Sequence, residues 1–129
     1  MSVDVILLDF AKAFDKVPHN RLLTKLEAHG LGGKVLRWIE AWLTDRMQRV
    51  CLDGCSSAWV YVLSGVPQGS VLGPLLFVIF IHDLEYDILS LILKFADDTK
   101  VFGRVSNSAQ RQLLQDDLEK LCALSLIHI

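Results

Sequence analysis

The segment Val71–Ile81 is the longest apolar run in the chain, and any fold this sequence adopts has to find somewhere to bury it. A bilayer is not that place. A spanning helix needs ~20 apolar residues, whereas this run contains Gly73 and Pro74 and stops at His82-Asp83. A core helix remains, expected over Val71–Leu84. Hydrophobic residues make up 52% of the 129 and charged residues 22%, proportions that exclude a disordered chain. The mean hydropathy of +0.38 is high for one water-soluble domain and fits a core piece whose covering parts lie elsewhere.

The remaining elements follow from local pattern. Val3–Leu8 is rich in Val, Ile and Leu and reads as a buried strand ending at Asp9. Pro18 fits a helix start, and two helices are expected over Asn20–His29 and Lys34–Asp45, parted by Gly30-Leu31-Gly32-Gly33. In the second, Val35, Trp38, Ile39 and Trp42 form a core-facing stripe. Gln48–Asp53 and Ala58–Ser64 read as a hairpin turning at Asp53-Gly54-Cys55-Ser56. Leu89–Phe95 and Thr99–Phe102 read as strands, and Ser106 or Ser108 caps a last helix with Leu113, Leu114, Leu118 and Leu121 on one face. The order β-α-α-β-β-α-β-β-α predicts an α+β fold, a sheet with helices packed on one face. Residues 124–129 continue no period and read as a truncation or artefact tail.

Asp4 and Asp9 interrupt the first apolar stretch and no basic segment precedes it, so no secretory signal is expected. The expected location is intracellular, nucleus or cytoplasm. Cys51, Cys55 and Cys122 form no metal pattern and read as ordinary thiols. Charge is unevenly spread: eight of the 13 basic residues lie between Lys12 and Arg49, and residues 51–93 contain none. That basic third could face phosphate or merely solvent. With a net charge of −2, a free-standing nucleic-acid binder is not expected, and other segments would supply much of the grip.

Two places set a carboxylate in apolar surroundings: Asp9 after Val3–Leu8, and Asp97-Asp98 between two strands. Burying an ionised carboxylate without a partner is costly, so metal ligation and turn capping are the two readings, and both stay open. Alternation along a strand means that Asp97 and Asp98 can serve one site only from a tight turn. The doublet Asp116-Asp117, in a polar helical stretch beside Gln115, Glu119 and Lys120, is expected on a solvated face. Gly65-Val66-Pro67-Gln68-Gly69-Ser70 leads into the apolar helix. Its backbone N–H groups could meet a phosphate, and Gln68 offers a donor and an acceptor.

Three segments together resemble the reverse transcriptase family. Leu7-Leu8-Asp9-Phe10-Ala11-Lys12-Ala13-Phe14-Asp15-Lys16-Val17-Pro18-His19 is similar to its first catalytic motif. Residues 65–77, from Gly65-Val66-Pro67-Gln68-Gly69-Ser70 to Phe77, are similar to the nucleotide-pocket motif, and Phe95-Ala96-Asp97-Asp98 to the Tyr/Phe-Ala-Asp-Asp motif. The wording is closest to non-LTR (LINE-type, jockey-like) retrotransposons, and the likeness runs to about residue 123. It implies an RNA-directed DNA polymerase and the palm of a right-hand polymerase. Asp9, Asp97 and Asp98 would then be catalytic, holding two Mg²⁺ ions (Mn²⁺ as substitute) with the carbonyl of Phe10 as a further ligand. Phe14 would exclude a ribose 2′-hydroxyl, and Gln68 and Gly69 would line the nucleotide pocket.

The partners so implied are an RNA template, a DNA primer, a dNTP and the fingers, thumb and endonuclease segments of a longer polyprotein, with no membrane. Fingers and thumb are largely missing from these 129 residues, so efficient primer extension by the isolated chain is not expected. The competing expectation is a relic fragment that binds RNA or protein without catalysis. An aspartyl-nucleophile phosphotransferase is disfavoured, because such enzymes want Asp-x-Asp and residue 11 is Ala.

Overall fold

The computed structural model describes residues 1–128, with side chains through Ala123, so the tail expected at 124–129 lies outside the described side chains. Three antiparallel strands form the main sheet: β1 (Val3–Asp9), β6 (Leu91–Phe95) and β7 (Asp98–Arg104), in the order β1-β7-β6. Between β1 and β6 lie a 3-10 turn at Ala13–Asp15, α1 (His19–Ala28), α2 (Gly33–Leu43), a ribbon made of β2 (Met47–Gln48), β3 (Cys51–Leu52), β4 (Cys55–Ser56) and β5 (Val60–Tyr61), α3 (Leu72–Phe80) and a 3-10 turn at His82–Glu85. The chain ends in α4 (Ser108–His128). The α+β expectation holds, with an antiparallel sheet and four helices.

Register explains which sheet face is covered. Leu8 pairs with Thr99 and Ile6 with Val101, while Leu7 pairs with Lys100 and Val5 with Phe102. Thr99, Val101 and Ile92 are buried, and with Leu84, Val105, Leu114 and Leu121 they make one core under α4. The opposite face, with Val3, Val5, Leu7, Leu91, Leu93 and Phe95, is exposed. β1 is therefore not the buried strand its composition suggested; only alternate residues face a helix.

A second core joins Val17, Leu22, Leu26, Ile39, Leu43, Val66, Leu76, Phe77 and Phe80 from α1, α2 and α3. Phe10 packs against both cores and so locks the end of β1 between them.

Several boundaries and faces differ from expectation. The apolar helix runs only Leu72–Phe80 before tightening into the 3-10 turn. In α2 the buried residues are Ile39 and Leu43, with Leu36 and Trp42 against them, whereas Val35 and Trp38 are exposed. Trp38 instead stacks on Trp42, ring centroids 6.1 Å apart. The hairpin is two short ladders, and it turns at Asp53-Gly54, where both φ angles are positive. Neither serine caps α4: Asn107 does, its Oδ1 accepting the Gln110 N–H at 2.8 Å while Gln110 Oε1 accepts the Ser106 N–H. On α4, Leu114 and Leu121 are buried but Leu113 is exposed.

Asp117 reverses its expectation outright. It is 1% exposed. Its Oδ2 accepts hydrogen bonds from Ser90 N at 2.7 Å and Ser90 Oγ at 2.6 Å, and its Oδ1 one from Leu89 N at 3.3 Å. Asp116 beside it is exposed and accepts from Gln112 Nε2. One residue of a helix is 100° of rotation, enough to separate a solvated carboxylate from a buried one. The composition around the doublet could not say which was which.

Candidate active site

The three aspartates meet at one end of the sheet. The register places Asp9 directly opposite Asp98, and Phe95 opposite Asp98 on the other side. Directly opposed residues of an antiparallel pair hold their Cβ atoms about 4.5–5.5 Å apart on the same face. The β6–β7 connection is only Ala96-Asp97, so Asp97 sits on the tight turn that two adjacent carboxylates require. Ala96 takes φ 54 there, a left-handed conformation that a residue with a Cβ adopts at a cost of ~1 kcal/mol or more.

None of the three carboxylates is buried as their apolar sequence neighbours suggest: Asp9 and Asp98 are exposed and Asp97 is half-buried. Their surroundings in sequence are apolar because β1, β6 and β7 are strands, but the strand ends open to solvent. Among the described residues, none of the three side chains has a hydrogen-bond or ion-pair partner, and no three His, Cys, Asp or Glu side chains stand close enough to hold a metal as they are. Like charges set opposite each other disfavour the sheet slightly, so the pair is not there for stability. Three carboxylates offer hard oxygen donors of the kind Mg²⁺ and Mn²⁺ take.

A second group forms where the segment after β1 meets the loop before α3. Phe14, Pro67, Gln68, Gly69 and Pro74 line a hollow of about 210 Å³. That is smaller than the ~300–1,000 Å³ usual for a small-molecule pocket, so these residues offer a wall rather than an enclosure. Phe14 is fixed by Phe77, ring centroids 4.5 Å apart. Larger hollows of about 480 and 550 Å³ lie along α4 and contain none of the expected site residues.

The two segments are stitched together. Gly65 N–H donates to Val17 O and Val66 N–H to Phe14 O, both at 2.8 Å. Ser64 Oγ donates to Asp15 O at 2.7 Å, and His19 Nε2 lies 2.7 Å from Gly65 O. Gln68 Nε2 reaches Asp15 Oδ1 at 3.3 Å. Gly65 has φ 90, and a Cβ there would lie 2.7 Å from both Asp15 Cα and Phe14 O. Gly73 lets α3 start against the loop, since its Cβ would lie 2.3 Å from Pro67 O.

Sequence reasoning gave no role to Asp15 or His19. Both hold the loop that carries Gln68 and Gly69, and their only signal was their place within the first motif. No hydrogen bond or ion pair links this hollow to the aspartates among the described residues. The two groups are joined through Phe10 and the short segment 10–14.

Comparison with known proteins follows this layout. The chain belongs to the reverse transcriptase (RNA-dependent DNA polymerase) family, which matches residues 3–126 and so takes in all of the residues above. It is 42% identical over 107 residues to the RNA-directed DNA polymerase from mobile element jockey of Drosophila funebris, covering 75% of this chain and 11% of that protein. The jockey polymerase of Drosophila melanogaster is 36% identical over the same shares. The Pol polyprotein from type-1 retrotransposable element R2 of Popillia japonica is 33% identical over 63% of this chain and 13% of its own length. The expected likeness to jockey-like, non-LTR elements is met by these relatives. The chain spans only about a tenth of their length. Among the described residues, no helix is long and apolar enough to cross a membrane.

Proposed function

We propose that this chain is palm-forming sequence of a non-LTR retrotransposon's RNA-directed DNA polymerase, supplying the carboxylates that add a dNTP to a DNA primer 3′-hydroxyl on an RNA template. The observation that carries this reading is the register of β1 and β7, which sets Asp9 against Asp98 with Asp97 on the adjoining turn, all without hydrogen-bond or ion-pair partners among the described residues. Asp9 and Asp98, 89 positions apart in sequence (98 − 9 = 89), are direct partners at one sheet end.

Asp9, Asp97 and Asp98, with the carbonyl of Phe10, would hold two Mg²⁺ ions, or Mn²⁺ in their place. Bound metal would activate the primer hydroxyl and neutralise charge on the departing pyrophosphate. The chain's own residues do the positioning. Phe14, packed against Phe77, lines the hollow where its ring would exclude a ribose 2′-hydroxyl. Gln68 and Gly69 line the same wall, with the Gln68 amide able to donate and accept toward the nucleotide. His19 and Asp15 hold that wall by their bonds to Gly65 and Gln68. Fingers, thumb and endonuclease segments of a longer polyprotein would complete the enzyme, acting inside the cell, in nucleus or cytoplasm.

The test is transplantation. Residues 3–123 replace the matching segment of the Drosophila funebris jockey polymerase, and dTTP incorporation is measured on poly(rA)·oligo(dT) with Mg²⁺. Incorporation that Asp97→Asn abolishes supports the proposal. A folded chimera that incorporates no more than its Asp97→Asn version would overturn it in favour of a non-catalytic relic.

A further inference from the structure

The ribbon between α2 and α3 takes part in neither core, and its residues 47–61 are exposed throughout. Its two faces differ in chemistry. Met47 pairs with Tyr61 and Gln48 with Val60. One step further along the same register sets Arg49 against Trp59, and the guanidinium lies over that indole, 4.5 Å from its centroid. Alternation therefore puts Met47, Arg49, Trp59 and Tyr61 on one face, and Gln48 and Val60 on the other. Both aromatic rings and the cation share the first of these faces.

We propose that the Arg49–Trp59–Tyr61 face of this ribbon is a stacking platform for single-stranded nucleic acid. Trp59 and Tyr61 are 54% and 62% exposed. Standing two residues apart on one strand face, they offer two ring surfaces roughly 7 Å apart, the arrangement by which sheet-borne aromatics hold successive bases. Arg49 stiffens the platform and leaves its charge for a phosphate. Arg46, half-buried at the ribbon's base, adds a guanidinium whose buried Nη1 has no hydrogen-bond partner among the described residues. Opposing them in residues 46–61 is only Asp53, at the far tip.

This is where part of the basic first third of the chain comes to rest, on a face that suits a polyanion better than a protein core. The ribbon closes through Val62 N–H to Arg46 O, and two residues later Ser64 is bonded to Asp15. The ribbon is thereby tied to the segment that carries Phe14. The proposal does not rest on catalysis: the face would bind whether or not the aspartates hold metal.

The test is fluorescence anisotropy of a short fluorescein-labelled oligo(U) with the full chain in EDTA, which silences the carboxylate site. Trp59→Ala and Tyr61→Ala are each expected to weaken binding about fivefold or more. Trp59→Phe should retain most of it and guards against a folding defect. Arg49→Gln should weaken binding and flatten its salt dependence, while Val60→Ala on the opposite face should bind like the unaltered chain. The proposal fails if the unaltered chain does not bind, or if Trp59→Ala and Val60→Ala behave alike. It fails equally if sedimentation shows self-association that Trp59→Ala abolishes, since the face would then belong to a second copy.

Discussion

Replacing Asp117 by Ala should destabilise the chain by about 3 kcal/mol, although it removes one of two adjacent acidic residues on a helix otherwise rich in polar groups. The magnitude comes from its partners. Ser90 donates twice to Oδ2, at 2.7 and 2.6 Å, and both bonds are partly buried. A hydrogen bond to a charged group contributes ~1.5–3 kcal/mol, and a buried donor left unpaired costs ~1–3 kcal/mol. The third bond, from Leu89 N at 3.3 Å, is long, and water can replace it because Leu89 is exposed, so it adds little. Taken together, the Ser90 pair supports about 3 kcal/mol. Asp116→Ala is the internal control: its carboxylate is exposed and its loss should stay within ~0.5 kcal/mol. The assay is urea unfolding followed by tryptophan fluorescence, with both variants under the same buffer. If the two variants unfold within ~0.5 kcal/mol of each other, the argument that α4 is tied to the start of β6 through a buried carboxylate is wrong.

Gly65→Ala should cost at least about 2 kcal/mol in the same assay, because a Cβ at φ 90 would be driven into Asp15 and Phe14. Ala96→Gly should do the reverse and raise the unfolding free energy by roughly 1 kcal/mol, since glycine takes the left-handed turn conformation freely; a loss of stability would contradict the strain assigned to that turn. Asp98→Asn, relieving the charge opposite Asp9, should give a small gain in thermal stability that fades as salt is added. An unchanged or lower melting temperature at low salt would speak against that pairing.

What the sequence made legible was whatever local pattern and motif wording could carry. Val3–Asp9 was readable as a strand from its β-branched run, and the Asp97-Asp98 turn from the geometry that two neighbouring carboxylates need. What escaped depended on the third dimension. β1 reads as buried because Val3, Val5 and Leu7 are as apolar as Ile6 and Leu8, yet only the register with β7 decides which of them meets α4. The α2 stripe was off by about one position for the same reason: Trp38 and Leu36 both continue an apolar face, and packing against the core shared with α1 selects Leu36. Asp117 was hidden because its partners, Leu89 and Ser90, lie more than 25 residues earlier in the chain. His19 and Asp15 support the Phe14–Gln68 wall through backbone and amide contacts 46 and 53 positions away, which no local pattern announces.

The most direct test of the catalytic reading is where a divalent ion settles. Substoichiometric Mn²⁺ is added to the ¹⁵N-labelled chain, and amide signals are watched for paramagnetic broadening. The account predicts that Asp9, Phe10, Asp97 and Asp98 broaden first, ahead of exposed acidic sites elsewhere such as Asp4, Asp45, Asp53 and Asp87, that excess Mg²⁺ restores them, and that Asp97→Asn removes the preference. Broadening spread evenly over all exposed carboxylates, or unchanged by Asp97→Asn, would contradict it.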